Sequence, residues 1–175
     1  MGYYDTHVPN PLVKENVFSG IAPEDRDPPK YAEAKRLLPE PFWENHAPHI
    51  DCYWKAWELA FRNLRRPSPG SKFVSNFIDT AFNNCLFMWD SVFILMFGRY
   101  GSRAFNFQRT LDNFYLHQHT DGFICREIIE RTGEDRFERF DPASTGPHLM
   151  PWSEWEYFLK GGIPMFQVYL IMSFR

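Results

Sequence analysis

After Trp89-Asp90-Ser91 the chain reads Val92-Phe93-Ile94-Leu95-Met96-Phe97 before Gly98. Six apolar residues in a row cover every direction around a helix, so the segment predicts a helix buried on all sides. Only a domain of several packed elements can surround such a helix, and 175 residues suffice to build one. The same stretch argues against a membrane span. Residues 85–97 are the most apolar part of the chain, are interrupted by Asp90, and fall short of the roughly 20 residues a bilayer needs.

Further helices follow from the spacing of apolar residues. Tyr53, Trp57, Ala60, Phe61 and Leu64 recur at helical intervals behind Asp51, a candidate N-cap, and Pro67 sets a stop. Ser102 is placed to cap a helix whose Phe107, Leu111, Phe114 and Tyr115 share a face and which runs out at Thr120-Asp121-Gly122. Residues 124–132 predict a short amphipathic helix with Glu127 and Arg131 spaced i, i+4. Pro151 suits a first turn, after which Trp152, Trp155, Phe158 and Leu159 share one face up to Gly161-Gly162. Residues 164–174 read as the start of another apolar helix. Strand composition is confined to residues 74–78 and 123–128, candidates for local pairing. The chain thus reads as all-α, with polar loops between helices in the rhythm of stacked helical hairpins.

Residues 1–50 carry eight of the 14 prolines. Proline removes a donor and disfavours helix in the residue before it. This region predicts an irregular arm with one short helix at 31–38, packed on the domain through Phe42 and Trp43; residues 51–175 form the domain itself. Residues 68–84 read as a long loop. The start of the chain has no basic stretch followed by an apolar run, so no secretory leader is read and a cytoplasmic location is expected. The net charge is −3, and the one basic cluster, Arg62, Arg65 and Arg66, falls at a helix end where cations complement the dipole, which argues against a nucleic-acid partner. Cys52, Cys85 and Cys125 are scattered and odd in number, so they read as buried thiols. His117 and His119 stand i, i+2 with no third ligand in view, so no metal is expected. No nucleophile elbow, phosphate loop or dinucleotide fingerprint occurs.

Three segments set polar groups beside large apolar ones. At Trp89-Asp90 the carboxylate either caps the apolar helix or accepts from sugar hydroxyls while the indole stacks on a sugar ring; two oxygens allow both. Asn83 and Asn84 each offer a donor and an acceptor on a short arm, which suits a polyol and suits a turn better. In Asp121-Gly122-Phe123-Ile124-Cys125-Arg126-Glu127, Gly122 permits a tight turn, and Arg126 and Glu127 either neutralise each other or reach a polar ligand. Asp141-Pro142-Ala143-Ser144-Thr145-Gly146-Pro147 presents hydroxyls in a rigid turn ahead of Trp152, or is plain loop. Aromatic residues form 18% of the chain, an excess that fits a large core and a sugar cleft alike.

Three blocks, in their order and spacing, resemble the six-hairpin glycosidases: Phe77-Ile78-Asp79-Thr80-Ala81-Phe82-Asn83-Asn84-Cys85-Leu86-Phe87-Met88-Trp89-Asp90-Ser91, then residues 121–128, then Thr145-Gly146-Pro147-His148-Leu149-Met150-Pro151-Trp152. The likeness is to the mannosylglycerate hydrolase-like enzymes and the related glucosidases and trehalases, and it covers about residues 50–160. It implies an (α/α)6 barrel of six inner and six outer helices with the active site at one end, inverting hydrolysis of O-glycosidic bonds, a carbohydrate substrate and no redox cofactor. It carries a sugar-site role onto Trp89 and Asp90, pocket roles onto Arg126 and Glu127, and nominates Trp152; with Asn83 these form the candidate substrate-binding set. Trehalase-like sequences hold more arginines in the first and third blocks, so trehalose is not implied. Inversion uses two carboxylates about 6.5–9.5 Å apart. The family's acid and base lie C-terminal of the matched blocks, with no counterpart here, and four or five helices are read where the barrel has twelve. The expected chain is therefore the N-terminal sector of such a domain, truncated, with sugar-binding residues but no catalytic acid and base. It is expected to be inactive in isolation and to self-associate through exposed apolar helix faces. Two alternatives remain: a non-catalytic helical carbohydrate-binding or interaction module, and a sugar epimerase or isomerase on a similar barrel.

Overall fold

The computed structural model describes residues 16, 18–120, 122–138, 141 and 149–161. The expectations for residues 1–15, for most of the loop at 140–147 and for a helix at 164–174 lie outside them. Helices dominate the described residues. In chain order come α1 (Tyr31–Ala34) with a 3-10 turn (Lys35–Leu37), α2 (Ala47–Arg62), β1 (Leu64–Arg65), β2 (Phe77–Ile78), β3 (Cys85–Phe87), and α3 (Met88–Gly98) with a 3-10 turn (Arg99–Gly101). A 3-10 turn (Phe107–Arg109) then leads into α4 (Thr110–Leu116), followed by β4 (Glu127–Ile129) and α5 (Met150–Leu159). No helix among the described residues is long and apolar enough to cross a membrane.

The expected arm helix at 31–38 is α1 with its 3-10 extension. Phe42 and Trp43, expected to anchor the arm, are exposed at 87% and 54%. Its anchors are Phe18, Ala34 and Leu38, all buried. Asn16 adds a tie, its amide donating to the carbonyls of Tyr115 and Leu116 at 2.8 Å each and so satisfying orphan acceptors at the end of α4. α2 begins a turn earlier than expected, with His46 at the N-cap and Pro48 in the first turn, where a missing N–H costs nothing; Asp51 lies inside the helix. Trp57, Ala60 and Phe61 on α2, and Leu64 after it, face the core as their spacing predicts.

α3 corrects the leading expectation. Val92 and Leu95 are buried, but Trp89, Phe93 and Phe97 are 51%, 45% and 39% exposed, so the helix is covered on one side only. The helix buried at every position but its last is α4, Thr110 to Tyr115 being buried and Leu116 half-buried, despite Thr110, Asp112 and Asn113. The loop at 71–79 wraps it, and polar α4 groups hold that loop. Asn113 Oδ1 accepts from the N–H groups of Val74 (3.0 Å) and Ser75 (3.1 Å), and its Nδ2 donates to the Ser75 carbonyl (3.0 Å). Thr110 Oγ1 accepts from Ile78 N–H (3.1 Å), and Asp112 accepts from the Ser75 hydroxyl (2.6 Å). Buried loop backbone needs such partners. Ser102 does not cap α4: it closes the turn after α3, and the 3-10 turn into α4 begins after Asn106.

Residues 124–132 do not form the expected helix. β4 pairs antiparallel with β3 in the register Cys85↔Ile129, Leu86↔Ile128, Phe87↔Glu127, and Leu86 and Ile128 are wholly buried. A turn closed by Gly133 N–H donating to the Ile129 carbonyl (2.7 Å) ends the strand. Gly133 has φ +71°, and a Cβ there would lie 1.9 Å from the Ser71 carbonyl oxygen and 2.6 Å from His117 Nε2, so only glycine fits. Tertiary pairing overrides the local i, i+4 signal; Glu127 pairs instead with its neighbour Arg126. β2 pairs with β1, Leu64↔Ile78 and Arg65↔Phe77. The two segments with strand composition, 74–78 and 123–128, each end in a short strand, β2 and β4, but these are not partners of each other.

α5 has Pro151 in its first turn as expected but presents the opposite face to the core. Met150, Ser153 and Glu154 are buried, whereas Trp152, Trp155, Phe158 and Leu159 are 41–59% exposed. α5 lies beside α3, with Trp152 against Phe93 (5.9 Å between centroids), Glu156 on Arg99 (2.9 Å) and Lys160 over Tyr100 (4.6 Å). Those pairs ascend both helices together, so α3 and α5 run parallel.

Candidate functional site

β3 passes directly into α3. Phe87 is the N-cap, extended at φ −98°, ψ 124°, with no side-chain cap; Asp90 is therefore not the cap but the third residue of the helix. The Met88 N–H donates to the Arg126 carbonyl at 2.8 Å, so the strand-entry segment before β4 satisfies one orphan donor of the helix. This contact brings Arg126 and Glu127 to the head of α3 beside Trp89 and Asp90. Because α5 is parallel, its first turn arrives at the same end: Trp89 packs on Phe93 (5.2 Å) and Phe93 on Trp152 (5.9 Å). Five of the six candidate residues thus share one end of the α3–α5 pair.

Their states differ. Trp89 and Trp152 are about half exposed, and Asp90 is exposed in the first turn of α3. Glu127 is buried and pairs with Arg126 Nη1 at 2.6 Å, while the Arg126 guanidinium lies 4.2 Å from the Phe137 ring centroid. Arg126 and Glu127 thus form an ion pair with each other. Asn83 sits elsewhere. Its Oδ1 accepts from Cys85 N–H (2.8 Å), which shapes the turn into the far end of β3. The ladder between that end and Trp89 spans about 10 Å.

At Asn83's end the structure assembles a pair with no motif to announce it. Asp79, buried, follows β2, and Glu130 follows β4, its N–H donating to the Asn84 carbonyl at 3.0 Å. The two carboxyls are neighbours, with Arg65 3.5 Å from Asp79. Burial, and then the Asp79 charge, raise Glu130 to about 7, so the pair holds a proton near neutrality. Asp79 Oδ1 also accepts from Ala81 N–H (2.8 Å), with Ala81 at φ 59°.

The histidines are occupied structurally. His117 is half-buried, with Nδ1 at 2.7 Å from the Asn113 carbonyl, and burial pushes its pKa down. His119 pairs with Asp135 at 2.7 Å. No group of three His, Cys, Asp or Glu among the described residues is arranged to hold a metal. The three cysteines are free; Cys52 is exposed, contrary to expectation, and burial pushes the Cys85 and Cys125 thiols up, away from reactive thiolates. Comparison with protein-family models, with curated proteins and with solved structures gives no match.

Proposed function

We propose that this chain is the N-terminal sector of an inverting (α/α)6 glycoside hydrolase domain, and that the head of α3 and α5 forms part of its sugar-binding rim. The observation that carries the proposal is the convergence of Trp89, Asp90, Arg126, Glu127 and Trp152 at one end of two parallel helices. Successive inner helices of a hairpin barrel must run parallel, because each outer helix returns the chain. Half-exposed indoles beside an exposed carboxylate also suit a neutral sugar: ring C–H faces stack on the indoles and hydroxyls donate to Asp90. Catalysis is not assigned to the described residues. Asp90 and the indoles bind, and the acid and base of inversion come from other chain segments.

The test is calorimetric titration of the whole chain with a panel of neutral mono- and disaccharides and simple glycosides. At least one should bind, and Trp89→Ala and Trp152→Ala should each weaken it about tenfold or more. A panel without a binder, or affinity untouched by both substitutions, rejects the proposal.

A further inference from the structure

Trp43, at the head of α2, is 54% exposed and no part of the core, yet its indole is packed. It stacks on His46, with 4.0 Å between ring centroids and 12° between planes, and meets His49 at 5.0 Å. A tight turn makes this arrangement. The His46 N–H donates to the Trp43 carbonyl at 3.3 Å, and Asn45 takes φ 60°, a conformation Asn tolerates better than most residues. His46 is the N-cap of α2, and His49 follows in the first turn, its N–H donating to the His46 carbonyl at 2.9 Å. One ring nitrogen of His46 is committed. Nδ1 lies 2.6 Å from the Glu44 carbonyl, which can only accept, so Nδ1 carries the proton and Nε2 keeps its lone pair. A carbonyl on the distal nitrogen is how metal-binding histidines are held and oriented. His49 is exposed, so its ring is open to solvent.

We infer that His46 and His49 form a two-histidine chelate for a zinc ion at the head of α2. The ring spacing carries the inference. A Zn–N bond of about 2.1 Å puts the centre of an imidazole about 3.2 Å from the metal, and two such rings at a tetrahedral angle stand about 5.2 Å apart. The His46 and His49 centroids are 5.3 Å apart, with the planes at 57°. The pair is therefore already at chelating distance, and the stacked indole and the Glu44 carbonyl hold one of its rings in place. Two protein ligands leave two positions of a tetrahedral ion for water or for a donor from elsewhere. Imidazole nitrogen suits zinc and its neighbours in the transition series, whereas magnesium and calcium take oxygen. The site is separate from the sugar rim and does not rest on that reading.

Calorimetric titration of the whole chain with zinc chloride, in a weakly coordinating buffer at neutral pH and with the thiols kept reduced, tests this. One equivalent of zinc should bind at this site, and magnesium chloride in its place should give no binding. His46→Ala and His49→Ala should each weaken that equivalent about tenfold or more. Both side chains lie outside the core, and thermal melts of the variants without metal confirm that they fold. Cys52→Ser and His119→Ala should leave the affinity unchanged, because neither side chain belongs to the chelate. Zinc binding that survives both substitutions at His46 and His49, or that is lost with Cys52→Ser instead, overturns the inference. So does a titration in which no zinc binds, or one in which magnesium binds as well as zinc.

Discussion

α4 and α5 have similar sequences on paper, each a short run of aromatic and polar residues, and they meet opposite fates. In α4 the polar Thr110, Asp112 and Asn113 are buried together with Leu111, Phe114 and Tyr115. In α5 the large Trp152, Trp155, Phe158 and Leu159 lie outward, while Ser153 and Glu154 are buried, Ser153 against Gln108 (3.3 Å) and Glu154 near the Tyr115 hydroxyl (3.5 Å). Polarity alone does not sort inside from outside. A polar side chain goes inside where backbone or another side chain gives it a partner. Apolar side chains stay outside where the chain leaves a surface for something else to cover.

The sharpest way to break this contrast is Asn113→Ala. It removes two acceptor contacts and one donor contact, leaving the N–H groups of Val74 and Ser75 and the Ser75 carbonyl buried without a side-chain partner. Each unsatisfied group costs ~1–3 kcal/mol, so a loss of about 4 kcal/mol is expected. Against typical stabilities of ~5–15 kcal/mol, that leaves a barely folded chain. Urea unfolding measures it. A cost below about 1 kcal/mol would show that α4 does not hold the 71–79 loop and that its buried polar face is incidental.

How much was legible in the sequence follows the same division. Helices that bury the face their spacing marks, α2 above all, were readable, because Trp57, Ala60, Phe61 and Leu64 need no partner beyond each other. The sugar-rim candidates were readable as a set because Trp89-Asp90 is local to a helix start. Their meeting with Arg126 was not, since it depends on a hydrogen bond between residues 88 and 126. β4 was hidden for the same reason: the helical spacing of Glu127 and Arg131 is local, while the β3 ladder and the fit of Gly133 against Ser71 and His117 are not. The caps expected at Asp51, Asp90 and Ser102 failed because backbone and proline serve those helix starts instead. Asp79 and Glu130 stand 51 residues apart and carried no spacing signal at all.

That carboxyl pair lies between the two strand pairs, after β2 and after β4, and gives the next largest effect. The folded-state value of Glu130 is raised from 4.5 to about 7, so protonation favours the fold. The associated stability is complete below about pH 4.5 and is lost as pH rises through about 7. Allowing for solvent screening of a partly exposed group, the loss is about 1–2 kcal/mol. His117 works in the opposite sense, because its depressed value costs stability as pH falls below 6.5. The diagnostic quantity is therefore the difference between the parent chain and Glu130→Gln. Urea midpoints of the parent should fall relative to the variant from pH 5 to pH 8. Parallel pH profiles would mean that the two carboxyls do not share a proton.

The smallest effect is the most direct check on α5. Trp155 is 49% exposed on the face the sequence pattern assigned to the core. Were it a core residue, Trp155→Gln would cost ~3–5 kcal/mol. On the observed fold the substitution removes little packing and should change monomer stability by no more than about 0.5 kcal/mol, measured by thermal or urea unfolding at submicromolar concentration. A large stability loss in the dilute monomer would return Trp155 to the core and remove the contrast between α4 and α5. A small loss would show that the outward apolar residues of α5 contribute little to the folding of the described domain.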